Sequence, residues 1–546
     1  MPGRSIIKNP YFFFILALVL FFPAYMINLG DQPIIEDEAI RSIVAFEMHK
    51  SGDYITPTIG GEPYLRKPPL YNWLIAGSFS LFGNYSETAI RFPMIISLLL
   101  FSLLIFWVVR KELGTRLAVL NMLIYLTLGR IIMYESLHGL IDIAFSMLTY
   151  LVFMLSWFLF KRKDYLWLFL LAYFLTAITW MMKGLPSLVF LGTGLLVLFI
   201  SGRRFIMLFN WRHFAGIFLL IILLGAYYLV YFNRNDISAQ ELFMTLLGQT
   251  TRRTVIRFGW WETILHLFTF PLEMLYHFLP WSLLTLVLFI RGTARKIWQH
   301  PFLRYNLLLL AFNIIPYWTS PEVHARYILM LVPLFFTILS RAYVEQRKEH
   351  KLMPKIIEYL FGAVLIIAAM APLAAPWIKL LKDVDQVWVI SILLCLFMAG
   401  ITITYWRSAR QRLFWFAIGI LILRIGFDFL VLPTRQMDSK EVLGKANAIA
   451  LAEMTKGHDL YSYWNPEKEP HFYYLKNLIT FRYHYYLSTA RNEMVVSTSE
   501  KIPGAIYFSN PQHIGKQPID TVGTLTQYVD GTRPLVVFRF TEINTE

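Results

Sequence analysis

Three carboxylates and five cations in this chain have the type and position to do chemistry at a membrane surface. Asp37 and Glu38 follow an apolar N-terminal run within a few residues. Asp142, in GLIDIAFSMLTYL, is a lone carboxylate at the start of an otherwise apolar helical pattern. Ionised groups at or inside a membrane span are costly and mark functional positions. We expect Asp37 and Asp142 to converge at the outer membrane surface, one accepting or orienting a proton on an acceptor, the other orienting the base or a bound cation. Glu38 is the third candidate acid; plain solvation would also account for it, as local capping or pairing would for Asp142.

The cations suit a phosphate. Lys67 stands before Pro68 and Pro69, which stiffen the backbone and stop a helix from running through them. A cation fixed in this way is a natural partner for a lipid phosphate through charge-assisted hydrogen bonds. Arg66 is equally placed, as is Arg41, although Arg41 could pair instead with the acids beside it. Arg326, in SPEVHARYILMLVP, opens a later apolar run and fits a second phosphate contact. Lys183, in TWMMKGLPSLVF, occupies a very short turn between two apolar runs. Snorkelling of the long stems to the headgroups is the alternative for each of these cations. His266, His324 and His471 could join an acid in a metal site, but nothing in their spacing demands one.

The elements that must position these groups are membrane helices. The chain has 546 residues, 57% of them hydrophobic and 16% charged, whereas a soluble domain carries about 25% charged residues. Apolar blocks of about twenty residues separated by short basic clusters are the membrane signature. Candidate spans are 10–29, 92–109, 117–134, 140–160, 165–182, 184–200, 213–232, 271–290, 305–317, 325–340, 356–375, 386–405 and 411–431, thirteen in all. The run 10–29 reads as a retained first span rather than a cleaved signal, since it is long and no small-x-small site follows. With the N-terminus inside, connections such as RKELGTR, KRKD and GRRFIMLFNWRH fall on the cytoplasmic side, as the positive-inside rule asks. The net charge of +15 is then topological, and nucleic-acid binding is not needed to explain it.

Two domains are expected: a transmembrane domain over 1–431, including a periplasmic loop at 31–91, and a soluble α/β domain over 432–546. The loop holds eight acidic and five basic residues, too many for a span. An odd number of spans would place it and the C-terminal domain on the same side. Segment 233–270 is amphipathic, with Arg252, Arg253 and Arg257 among large apolar residues and Trp260 and Trp261 suited to headgroup level. After 432 the helix-like run MDSKEVLGKANAIALAEMTKG and the strand-like pieces DLYSYW, GAIYFS and PLVVFRF alternate. The single cysteine, Cys395, lies in an apolar run, and no GxGxxG, Walker A, HExxH or CxxC motif is present.

At these residues the chain resembles the membrane glycosyltransferases that use lipid-phosphate sugars, in particular the bacterial aminoarabinose (lipid A) transferase and the protein O-mannosyltransferases. The resemblance is carried by DEAIRSIVAFEMHKSGDYITP and GEPYLRKPPLYNWLIAGSFSLFGNYSETAIRFP. LIDIAFSML, MMKGLPSLVF, FLPW at 278–281 and ARYILMLVP at 325–333 follow in order, so that it covers roughly 30–335. It implies a GT-C type fold: a polytopic α-helical membrane protein of about 13 transmembrane helices with a small C-terminal α/β periplasmic domain. It also implies a donor sugar on undecaprenyl or another polyprenyl phosphate, transfer with inversion at the periplasmic face of the bacterial inner membrane, and a lipid, glycan or protein acceptor. Asp37 would be the essential first-loop carboxylate, Asp142 its partner, and Lys67 a donor-phosphate contact. The chain departs from the aminoarabinose transferases at Ile40, where they carry Arg, and at Arg66, where they carry a metal-holding Glu. No cofactor is certain from these residues, and a divalent metal is left open.

Other function classes answer the same composition less well. A secondary transporter would place ionisable groups mid-span and show two matching halves; here the charges sit near span ends and no repeat is evident. A polysaccharide ligase or polymerase would share the membrane and the lipid-linked donor. A non-catalytic scaffold would have no use for Asp37, Asp142 and Lys67 together.

Overall fold

The computed structural model describes residues 9–238, 240, 244–245, 255–436, 440–467, 470–471, 481–526 and 534–541. Arg252 and Arg253 lie outside the described residues. The chain divides into two compact units: Met1–Leu29, Met94–Leu229 and Ser238–Thr434 form one, and Gly30–Pro93, Val230–Ile237 and Arg435–Glu546 the other.

Eight described helices are long and apolar enough to cross a membrane: Glu87–Leu113, Thr115–Met133, Asp142–Arg162, Tyr165–Lys183, Trp211–Arg234, Leu352–Trp377, Val387–Arg407 and Ala409–Leu430. This corrects the expectation of about 13. Hydropathy counts apolar residues, whereas the length of a helix also depends on where its backbone breaks. The run 271–290 is divided between a helix that ends at His277 and a 3-10 stretch, Trp281–Phe289. The run 325–340 is divided between a 3-10 turn, Ala325–Ile328, and the helix Val332–Lys348. The run 305–317 falls in Pro301–Trp318, which carries Arg304, Asn306, Asn313 and an internal Pro316. Pro10–Met26 and Pro186–Ser201 have 17 and 16 residues. At 1.5 Å per residue that is about 25 Å, short of the ~30 Å hydrocarbon core. The argument from an odd number of crossings falls with the count.

Within the first unit the helices are joined by polar side chains that bond one another where water is excluded. Asn121 donates to the Leu117 carbonyl (2.8 Å) and to Ser340 Oγ (2.9 Å). The Trp281 indole donates to Thr127 Oγ1 at 2.8 Å. Arg424, 1% exposed, donates to the Ala24 carbonyl at 3.0 Å and pairs with Asp428 at 3.1 Å. Between these anchors aromatic rings fill the interior: Phe361 stacks on Phe416 at 4.1 Å and Trp157 on Tyr305 at 4.9 Å.

The second unit is built on a five-stranded sheet. Its strands are β3 (Leu460–Tyr463), β4 (Val496–Thr498), β5 (Ile506–Ser509), β6 (Ile519–Thr526) and β7 (Pro534–Phe540), after a two-stranded hairpin of β1 (Thr58–Ile59) and β2 (Glu62–Pro63). The order is β4-β3-β5-β7-β6, with β3 parallel to β4 and β5, and β7 antiparallel to β5 and β6. Tyr463, Tyr507, Phe538 and Phe540 form its core. The first-loop segment belongs to this unit by direct bonds. Ser497 N–H donates to the Gly60 carbonyl (2.9 Å), Tyr485 Oη to the Tyr85 carbonyl (2.7 Å), and Tyr486 Oη to Glu87 (2.9 Å). Residues 30–93 and 435–546 therefore belong to one compact unit.

Candidate active site

In the first unit, three charged residues from distant parts of the sequence meet in a buried cluster. Asp142 opens the helix Asp142–Arg162, whose last turn carries Lys161 and Arg162. Acid at the N-terminus and base at the C-terminus complement the helix dipole. Lys183 ends the helix Tyr165–Lys183, which Gly184 closes at φ +73°, a conformation L side chains rarely adopt. Pro186 then starts the next helix at its first position. This K-G-L-P reversal holds Lys183 so that its Nζ donates to Asp142 Oδ1 at 2.5 Å. Arg326, carried by the 3-10 turn Ala325–Ile328, stands with Nε 3.6 Å from Asp142 Oδ2. The side chains of Asp142, Lys183 and Arg326 are 5%, 13% and 8% exposed. Aromatic rings support the cations: Lys183 Nζ lies 4.8 Å from the Tyr327 ring centre and 5.0 Å from that of Phe145.

A second acid–base pair borders this cluster. Glu135, in a 3-10 turn between two spans, accepts from Arg130 Nε at 2.7 Å and is fully buried. Burial pushes its carboxyl up to about 7; Arg130 and Arg326 pull the other way, and the charge of Asp142 adds to the rise. Its Oε2 has no hydrogen-bond partner among the described residues. Sequence reasoning missed this pair by treating 135–139 as a tight turn. The available signal was the two charges Arg130 and Glu135 in GRIIMYESLHGLI, a segment with no apparent need for them.

The second unit holds the first-loop candidates. Asp37 is exposed in the first turn of the helix Glu36–Ser51. Glu38 is fully buried: it accepts from the Ile35 N–H at 3.2 Å and takes both Nε (2.8 Å) and Nη2 (3.1 Å) of buried Arg91. Arg41 donates through Nη2 to Tyr64 Oη at 2.7 Å, and its buried Nη1 has no partner among the described residues. Arg66 and Lys67 are half-buried in the bend ahead of the helix Leu70–Phe82. The hairpin before them hangs on a residue that sequence reasoning passed over. Glu47 accepts from Thr58 Oγ1 (2.7 Å), Gly60 N–H (2.6 Å) and Gly61 N–H (3.3 Å). Gly60 and Gly61 have φ of +61° and +80°, the backbone that a two-residue hairpin turn demands. Burial pushes the Glu47 carboxyl up to about 7 against the lowering effect of those three bonds.

Among the described residues no three His, Cys, Asp or Glu side chains gather in a group that could hold a metal. His266 instead faces the Tyr317 carbonyl at 3.4 Å, and His324 packs edge-on against Tyr327. The described residues thus assemble no three-ligand donor set for a divalent ion.

Comparison with known proteins bears on both units. Residues 66–229 match the family described as dolichyl-phosphate-mannose-protein mannosyltransferase. The undecaprenyl phosphate-alpha-4-amino-4-deoxy-L-arabinose arabinosyl transferase of Edwardsiella ictaluri (strain 93-146) is 37% identical over 111 residues, 20% of each chain. An uncharacterized protein of Aquifex aeolicus (strain VF5) is 23% identical over 310 residues, 55% of this chain and 59% of its own. The chain thus spans less than two thirds of either relative. The crystal structure of ArnT from Cupriavidus metallidurans bound to undecaprenyl phosphate superposes with a TM-score of 0.64 at 17% identity, over 98% of both chains. The apo form of that protein gives 0.62 at 16% identity, over 96% of this chain and 97% of its own. The chain has the ArnT fold. The likeness in fold thus extends over nearly the whole chain. The stretch matched to the mannosyltransferase family includes Lys67, Asp142 and Lys183 and ends before Arg326.

Proposed function

We propose that this protein is a glycosyltransferase that moves a sugar from a polyprenyl phosphate to an acceptor at the outer face of the bacterial inner membrane. The observation that carries the reading is the buried Asp142 carboxylate held between Lys183 and Arg326 at the end of an apolar helix, in a chain with the ArnT fold. One carboxylate against two cations leaves a net positive charge where water is scarce. That is the field needed to bind a lipid phosphate and to stabilise it as it leaves the anomeric carbon. Asp142 keeps the two cations oriented and limits their mutual repulsion. Arg130 and Glu135 brace the same cluster from the neighbouring turn.

A phosphate is already a competent leaving group, so the demand on the protein is to neutralise charge and place the acceptor in line. We assign Asp37, exposed on its helix, to orienting or deprotonating the acceptor, and Lys67, Arg66 and Arg41 to the donor phosphate. Attack from the face opposite the leaving phosphate would invert the anomeric centre. Glu38, fully engaged with Arg91, is assigned to positioning the helix that bears Asp37. The outer-face placement is supported by the basic connections at the other ends of the spans, such as KRKD and GRRF.

Two acceptors suit the reading. Similarity to the arabinosyl transferase favours a lipid A phosphate or another envelope glycolipid. The match to the protein mannosyltransferase family favours a protein hydroxyl, for which Asp37 would act as base. The test is turnover by purified protein given a polyprenyl-phosphate sugar, with mass spectrometry of candidate acceptors. Asp37→Asn is expected to lose transfer at unchanged yield and elution volume; normal turnover would remove Asp37 from the mechanism.

A further inference from the structure

At the far end of the Asp142–Arg162 helix, about 30 Å from Asp142 at 1.5 Å per residue, the first unit builds a second basic pocket. A cavity of about 280 Å³ is walled by Lys161, Lys163, Arg204 and Arg304 over the stacked rings of Trp157 and Tyr305. A second cavity, about 920 Å³, shares Ser201, Gly202 and Arg304 with the first and continues along the apolar side chains of Leu196, Ile200, Leu308 and Phe312. Leu196, Ile200 and Phe312 are 45%, 58% and 53% exposed, on the helices Pro186–Ser201 and Pro301–Trp318. Gly202 sits at the junction, where a Cβ would collide with the ring of Phe160.

The charge is unbalanced in one direction. Lys161 pairs with Glu112 at 2.7 Å. Among the described residues no carboxylate lies within 4 Å of the side-chain nitrogens of Lys163, Arg204 or Arg304. Arg304 instead lies 6.0 Å from the centre of the Trp298 ring. A cationic head over aromatic rings, opening into an exposed apolar groove, matches a molecule with one phosphate and a long hydrocarbon chain.

We propose that this pocket binds an anionic glycerophospholipid of the adjacent leaflet. Its phosphodiester would be held by Lys163, Arg204 and Arg304, and one acyl chain would lie along the groove of Leu196, Ile200, Leu308 and Phe312. Charge complementarity selects an anionic headgroup, and the continuity of groove and head pocket selects a lipid over a free phosphate. The site is separate from the Asp142 cluster, and the proposal does not depend on the sugar-transfer reading.

Native mass spectrometry of the full-length protein, purified in detergent and stripped of lipid, tests it. Phosphatidylglycerol and phosphatidylcholine of identical chains are titrated separately. The wild type is expected to bind phosphatidylglycerol more tightly, each basic contact being worth about fivefold. Arg304→Gln should lose about fivefold and Arg304→Gln/Lys163→Gln roughly 25-fold in phosphatidylglycerol affinity, with a smaller loss for phosphatidylcholine, whose choline offsets the charge of the same phosphodiester. Arg304→Lys should retain the preference. Leu308→Trp, which fills the groove without touching the charges, should weaken both lipids. Equal binding of the two lipids by wild type would overturn the proposal, as would a preference that survives the double substitution. Inorganic phosphate competing away the bound lipid at equal concentration would reassign the pocket to a free anion. Undecaprenyl phosphate displacing phosphatidylglycerol, with the same dependence on Arg304 and Leu308, would reassign it to the carrier lipid.

Discussion

Removing the Asp142 charge tests whether the buried triad acts as one electrostatic unit. Asp142→Asn keeps the side-chain volume and removes the carboxylate that Lys183 and Arg326 share. With side chains 13% and 8% exposed, water cannot compensate, and losing one partner of a buried pair costs about 3–5 kcal/mol. Lys183→Met is expected to cost less, about 1–2 kcal/mol, because Asp142 keeps Arg326 at 3.6 Å and no unpaired anion remains. In Asp142→Asn/Lys183→Met only one cation is left. The loss should then fall short of the sum of the singles by about 1–2 kcal/mol, a coupling typical of residues in direct contact. The assay is reversible unfolding in mixed micelles, followed by helical circular dichroism. In parallel, transfer should be down at least about 100-fold in all three variants, since removing one charge-stabilising group costs about 10²–10³. Strict additivity of the stability changes would show that Asp142 and Lys183 do not sense each other. Normal transfer in the double variant would show that the triad is a structural staple only.

Three further outcomes follow from named contacts. Glu38→Gln should cost about 3 kcal/mol or more in stability, because it removes the charge that Nε and Nη2 of buried Arg91 both bond; unchanged thermal stability with lost transfer would instead make Glu38 a chemical participant. Glu47 has its carboxyl raised by burial from 4.5 to about 7, so the folded state holds its proton more tightly than the unfolded chain does. Its contribution to stability is therefore present below about pH 4.5 and lost as pH rises to 7, a change of about 3 kcal/mol. His484 and His471, held down to about 4 by burial, act in the opposite direction between pH 4 and 6.5. The readout is accordingly the difference between wild type and Glu47→Gln, which should vary with pH over 4.5–7; a flat difference would reject the raised value. Lys67→Ala should weaken binding of radiolabelled polyprenyl-phosphate sugar more than binding of acceptor, and equal donor binding would leave Lys67 as an interfacial anchor.

The sequence alone determined that this is a polytopic membrane protein, because apolar blocks and flanking basic clusters answer directly to the bilayer. It also placed Asp142 at a helix start and Lys183 at a helix end: a lone charge ahead of an apolar run, and a Lys-Gly-Leu-Pro reversal, are local signals. Only the tertiary structure decided which charges meet. Lys183 stands 41 residues from Asp142, and Glu38 takes Arg91 from 53 residues away. Nothing in local periodicity reports a pairing over such separations, so Glu38 read as a solvated candidate when it is buried and bound. Glu47 and Glu135 escaped notice for the same reason, their partners being turns that only folding brings to them. The number of crossings was misjudged because hydropathy registers composition alone. Whether 271–290 forms one helix or a helix followed by a 3-10 stretch is settled by backbone geometry and by the neighbours against which each piece packs.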